Sequence, residues 1–398
     1  MSQVSERLAA LSPSETLAMS QKSNELKAQG FDIINLSVGE TDFFTPDFVK
    51  ETAKKAIDDN FSFYAPVPGF LSLRNAIVNK LKKENGLDYT PDRIVCSNGA
   101  KQAVCNVLLC TVNPGDEVII PAPYWVSYVE MVKLAEGHNV IITTDIEQDF
   151  KITPARLKAA ITPRTKAFIL CSPCNPTGSV YSKEELKGLA DVLAEYPNII
   201  VISDEIYEHI NYIGKHESIA QFENIRERTV IVNGVSKAYA MTGWRLGWIA
   251  APQQIAAACN KLQGQYTSSP SNVAQKAAEA AYLGPQDCVE SMRQAFERRR
   301  NLIVRLASDI PGLKVRRPEG AFYLFPDCGH YIGMSFNGKK INNSADLAMY
   351  LLEEGHVATV GGLAFGAPNC IRFSYATSDE NLIEAMARVK KALNDLKI

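Results

Sequence analysis

Residues 166–205 read KAFILCSPCNPTGSVYSKEELKGLADVLAEYPNIIVISDE. Two short, β-branched and nearly continuous apolar runs, KAFILC and IIVISDE, flank an amphipathic stretch from Ser182 to Glu195. Runs of that kind suit strands buried on both faces, as in a parallel sheet. Ser182 with Glu185 is the capping-box pattern that opens the intervening helix. The same texture extends from Arg93 to Pro252, where RIVCS, DEVIIP, NVIITT, TVIVNG and LGWIAA supply the other runs. Strand and helix alternation predicts an α/β fold with a mostly parallel central sheet flanked by helices.

Beyond Pro285 the pattern changes to a long charged helix, MRQAFERRRNLIVRLAS, then GAFYLFP, a further helix, CIRFSYAT and a last helix. This predicts three parts: an N-terminal segment, 1–46, contributing to a small domain; a large domain, 47–285; and a small C-terminal α+β domain, 286–398. Thr377 with Glu380 reads as the cap of the last helix. The ERRR run at Glu297–Arg300 reads as a solvated helix face.

The chain has 398 residues, 46% apolar and 22% charged, with a net charge of -2. That is a globular composition with no general pull toward nucleic acid or an anionic membrane. No apolar run approaches the roughly 20 residues of a membrane span, and the first residues lack a signal-peptide pattern. Nine cysteines without a regular framework fit a reduced, cytoplasmic protein.

The informative residues fall at predicted strand ends: CSPCNPTG, then ISDEIY, then NGVSK. Ligands of open parallel sheets bind beyond the carboxyl ends of the strands, so Asn175, Asp204, Tyr207 and Lys237 should converge on one crevice. Lys237 and Arg245 are cations in a stretch that otherwise reads as core, NGVSKAYAMTGWRLGWIA. A desolvated lysine offers a neutral amine, and such an amine forms a Schiff base with a carbonyl. Pyridoxal 5'-phosphate uses that chemistry and needs an acid at its ring nitrogen. Asp204 suits that place, and Arg245 suits the phosphate.

The pieces YAPVPG, SNGAKQA, PYWVSY, SPCNPTG, SDEIYEH, SKAYAMTGWRLG, GAFY and IRFSYA occur in this order. In them the chain resembles the class I pyridoxal-phosphate aminotransferases (fold type I), in the bacterial aspartate aminotransferase branch, over nearly its whole length. The resemblance implies that Lys237 carries the cofactor and then moves the proton between the substrate α-carbon and the cofactor. It implies that Asn175 and Tyr207 hydrogen-bond the ring oxygen and that Trp125 stacks on the ring. Gly99, Ala100, Lys101 and Ser236, with Arg245, would hold the phosphate, and Tyr64 would reach it from the other subunit of a homodimer. Arg372 and Gly39, beside Asn175 and Trp125, would grip the α-carboxylate. Lys101, Ser14 and Thr16 would meet the side-chain carboxylate. The Asn175–Pro176 bond would be cis. Gly234 departs from relatives that carry a hydroxyl residue there.

The implied reaction moves an amino group from L-aspartate to 2-oxoglutarate by a ping-pong route, giving oxaloacetate and L-glutamate. Alanine, aromatic or prephenate-linked preferences stay open, although Ser12 stands where prephenate-using relatives often carry a basic residue. A more distant alternative is a redox module built on Cys171 and Cys174. No second such pair and no histidine at metal spacing accompanies it.

Overall fold

A computed structural model describes residues 4–397. All seven expected strands form and join one sheet: β1 (Ile94–Ser97), β2 (Glu117–Ala122), β3 (His138–Thr143), β4 (Thr165–Cys171), β5 (Ile200–Asp204), β6 (Thr229–Gly234) and β7 (Gly247–Ala250). Their order is β1-β7-β6-β5-β4-β2-β3. β7 runs antiparallel to β1 and β6, and every other pair is parallel. Residues of β1, β6 and β7 are buried throughout, which is why these strands are continuous apolar runs.

Helices pack on the sheet. α1 (Ala100–Thr111) follows β1, and α2 (Lys183–Ala194) lies between β4 and β5. α2 opens as expected, with the Glu185 amide bonding Ser182 Oγ and the Ser182 amide bonding Glu185 Oε2. Glycine permits the join between β7 and α1, because a Cβ on Gly247 would strike the backbone of Gly99 and Ala100.

A second, antiparallel sheet pairs Val360–Gly361 with Ile371–Ser374, and the latter with Tyr323–Leu324. Ile34–Asn35 pairs in parallel with Val357–Ala358. One apolar cluster joins Ile34 and Leu36 to Phe296 and Ile303 of α3 (Asp287–Ser308) and to Met386 and Leu393 of α4 (Asp379–Asp395). Segments far apart in sequence therefore share one core.

Two local expectations are corrected. α4 is capped by Ser378, whose Oγ accepts from the Asn381 amide at 3.2 Å. Thr377 lies one residue outside and accepts instead from the Asn381 side chain at 3.0 Å. The ERRR run is not a solvated face, because Arg299 and Arg300 are buried. Arg299 makes a paired bond to Asp42 at 2.7 and 2.8 Å, tying α3 to the N-terminal segment, and Arg300 lies over the Tyr212 ring. Charge repeated on one helix reads as solvation until its partners from other segments are known. Among the described residues, no helix is long and apolar enough to cross a membrane.

Candidate active site

A cavity of about 400 Å³ opens at the carboxyl ends of β4, β5 and β6. Asn175, Asp204, Tyr207, Ser236 and Lys237 line it from those strand ends, and Ala100, Lys101, Trp125 and Arg245 from the neighbouring loops and the start of α1. Arg372 comes from the second sheet, and Ser14, Thr16 and Gly39 from the N-terminal segment. Gly99 caps α1 beside this wall. The expected set therefore meets in one place, except for Tyr64. That residue is 100% exposed, away from the cavity among Phe61, Phe63 and residues 269–273.

Lys237 is half-buried, and its Nζ donates to the Gly39 carbonyl at 2.5 Å. Burial lowers its pKa to about 8; Glu40 opposes the shift, and Arg372 and Arg245 add to it. The amine is thus within reach of neutrality at physiological pH. Asp204 moves the other way, raised by burial to about 6 although hydrogen bonds from Tyr128 and the Ile206 amide favour its charge. Tyr207 bonds Tyr323 OH at 2.7 Å, and burial holds its phenol well above the ordinary value.

Arg372 is 1% exposed. Its Nη1 donates to Asn175 Oδ1 at 2.9 Å and its Nη2 to the Ser37 carbonyl at 2.5 Å, while buried Nε has no partner. The guanidinium lies 4.6 Å from the Tyr323 ring centroid, and among the described residues no carboxylate pairs with it. A buried cation with an unused donor is a seat for an incoming carboxylate.

The start of α1 is the anion-facing end of the site. Gly99 has φ +82°, no side chain caps the helix, and a Cβ on Gly99 would collide with the Arg245 guanidinium. Arg245 is not core: it is exposed, at φ +54°. Its Nη1 and Nη2 donate to the carbonyls of Thr242 and Asn98 at 2.8 and 3.2 Å. The apolar sequence around it belongs to β7, which begins two residues later. Helix N–H groups, a guanidinium and the Ser236 hydroxyl together suit a phosphate. Gly234 has a steric cause, since a Cβ there would press on Leu246 O and Gly247.

Lys101 is exposed at the rim, its Nζ 5.2 Å from the Trp125 ring centroid, and burial and Arg245 lower its pKa. Asn175–Pro176 is cis, as expected; Ala122–Pro123 and Ser172–Pro173 are cis as well. Cys171 lines the cavity, Cys174 lies behind it, and all nine cysteines are free thiols. Among the lining residues not singled out from sequence, Glu40, Tyr128, Thr242 and Tyr323 bring polar side chains to the cavity. Tyr128 and Tyr323 fall within PYWVSY and GAFY, pieces that carry the resemblance without announcing which of their rings meets the cavity. A Cβ on Gly39 would strike Tyr323 OH, so glycine there is what admits the phenol.

Sheet, strand-end lysine and buried carboxylate clamp define a class that the comparisons name: the chain belongs to the family "aminotransferase class I and II", whose profile matches residues 32–389. It is an aminotransferase. The bifunctional aspartate aminotransferase and glutamate/aspartate-prephenate aminotransferase of Petunia hybrida is 47% identical over 99% of this chain and 83% of its own. The aspartate/prephenate aminotransferase of Cereibacter sphaeroides is 47% identical over 98% of each. The crystal structure of the aspartate aminotransferase from Rhizobium meliloti superposes with a TM-score of 0.96 at 42% identity, covering 100% of both chains.

Proposed function

We propose that this aminotransferase moves the amino group between L-aspartate and 2-oxoglutarate, giving oxaloacetate and L-glutamate by a ping-pong route, with pyridoxal 5'-phosphate as its cofactor. One observation carries the reading: buried Arg372, without a counter-ion among the described residues, and a second cation, Lys101, line the cavity that holds Lys237. Two cations suit the two carboxylates of aspartate, and the names of the relatives agree.

The donor set fits the cofactor. The glycine-made cradle at Gly99 and Gly247 brings the α1 N-terminus and Arg245 to a phosphate, and Asp204 is a buried acid suited to a ring nitrogen. When bound, the cofactor supplies an electron sink for the substrate α-carbon. Lys237 Nζ takes and returns the α-proton, and its lowered pKa suits it to that exchange. Asp204 keeps a proton on the ring nitrogen, Asn175 and Tyr207 hold the ring oxygen, and Trp125 covers the ring face. Arg372, with Gly39, orients the α-carboxylate, while Lys101, Ser14 and Thr16 read the distal one.

Residues 1–46 and 286–398 act as a small domain against 47–285; Ile34 and Leu36 share an apolar cluster with residues of 286–398, and Tyr207 and Ile210 join it from the large domain. The active form is a cytoplasmic homodimer in which Tyr64 serves the partner's phosphate site. A second reading, prephenate as amino acceptor, is favoured by the names of the Petunia and Cereibacter relatives. Ser12 faces an adjoining cleft of about 660 Å³ instead of the main cavity.

Borohydride reduction of the loaded enzyme followed by peptide mapping tests the site. The label is expected on Lys237, and Lys237→Ala should lose essentially all turnover, since acid–base transfer alone contributes about 10²–10⁴-fold. Label on another lysine overturns the assignment.

A further inference from the structure

Both oxygens of Asp204 are engaged within the protein. Oδ1 accepts from the Ile206 amide at 3.2 Å, and Oδ2 accepts from Tyr128 OH at 2.5 Å. Tyr128 is 1% exposed and projects from helix Ser127–Leu134. Its ring stands edge-on to Trp125, centroids 5.3 Å apart. The Cys171 thiol borders the same hydroxyl, and Cys174 lies behind that thiol. Only about 20 Å³ of space remains behind the ring, room for a single water. Tyr128 also lines the main cavity, so the residue stands between that space and the wall that holds Cys171 and Cys174.

We propose that Tyr128 is a positioning residue for Asp204, its hydroxyl, backed by Cys171, holding that carboxylate ionised and aimed at the ring nitrogen of the bound cofactor. The inference rests on the assignment of Asp204 made above. Five titratable groups face the carboxylate: Glu205 beside it, Tyr128 from its helix, Cys171 and Cys174 from β4 and the loop after it, and Lys237 from across the cavity. Burial and Glu205 favour the protonated acid, whereas Tyr128, the Ile206 amide and Lys237 favour the anion. Removing the phenol donor tips this balance, and a neutral Asp204 no longer holds a proton on the ring by its charge. The arrangement also gives the CSPC motif a role without redox chemistry. Contact with Cys174 and burial push the Cys171 thiol well up, so it stays an unreactive S–H wall behind the phenol.

Tyr128→Phe keeps the ring and deletes the donor. In full-length enzyme loaded with pyridoxal phosphate labelled at the ring nitrogen, the wild-type NMR signal should be that of a protonated ring at neutral pH. In Tyr128→Phe it should move toward that of a neutral ring. The acid limb of the kcat–pH profile should rise by about one to two pH units, since a hydrogen bond to a charged group is worth that much, while KM for aspartate changes less than about twofold. Unchanged ring signal and profile in a folded, loaded variant overturn the inference and leave the site assignment standing. No ring signal from wild type defeats the site assignment itself. If Tyr128→Phe fails to fold, a fluorotyrosine of lower phenol pKa at position 128 should shift the limb downward, and no shift is equally fatal.

Discussion

Arg372 meets an amide oxygen, a carbonyl oxygen and two aromatic rings, yet no carboxylate among the described residues. A buried charge without a counter-ion costs several kcal/mol, so the pocket is built for a ligand that brings one. Arg372→Ala should therefore impair every amino-acid substrate. Lys101→Ala should impair aspartate and glutamate more than alanine, by up to about 1 kcal/mol, the worth of a charge pair at an exposed rim. Comparing kcat/KM for the three donors decides it, and equal losses for alanine and aspartate would remove Lys101 from the role. Lys237, Asp204, Tyr207 and Asn175 were legible because strand ends announce themselves in the hydropathy pattern, whereas Arg372, inside a strand of the second sheet, was pointed to only by the family resemblance of IRFSYA. Glu40 and Thr242, which bond each other at the rim, were not: an exposed glutamate and a half-buried threonine carry no signal until the fold brings them beside Lys237.

At the scale of elements, the strands were readable because two-sided burial demands uninterrupted apolar runs. Helix Leu71–Lys80 hides a feature that no run predicts. Lys80 ends it in the charged stretch NKLKKEN, and its ammonium is buried against Glu208 and bonds Asn85 at 2.8 Å. Asn233, at the end of β6, donates to the other Glu208 oxygen at 2.9 Å. The pair thus pins that helix to the turn carrying Asp204 and Tyr207. Burial alone would raise Glu208, but Lys80, His209 and His216 outweigh it and bring its pKa down to about 2. Because the folded value is depressed, the pair's contribution is complete above the ordinary 4.5 and fades as pH falls toward 2. Lys80→Met should cost about 3–5 kcal/mol at neutral pH by stranding a buried carboxylate. The deficit should shrink on acidification, and Lys80→Met with Glu208→Leu should recover most of it. Urea melts across pH test this; a neutral-pH loss below about 1 kcal/mol means the pair does not hold the turn.

For the whole molecule, the outlying feature is an apolar surface: Phe44, Phe63 and Tyr64 are 90%, 83% and 100% exposed. Patches of this kind mark partner surfaces, and a two-fold dimer would give two equal composite sites. Mixing Lys237→Ala with Tyr64→Ala chains places both lesions in one site of each heterodimer and leaves the other intact. Random exchange should then restore roughly a quarter of wild-type activity. Activity that stays at the parental average after verified exchange means that Tyr64 acts within its own chain or not at all. The cavity itself is assembled from distant stretches of chain. Its strand-end wall runs from Ala100 to Arg245, whereas the carboxylate seat needs Gly39 from the beginning and Arg372 from near the end. During synthesis the first wall emerges while the guanidinium is still unmade. A nascent chain thus has the amine and the acid in hand before it has the guanidinium with which to grasp the α-carboxylate of an amino acid, and the order of translation separates capture of the tool from capture of the workpiece.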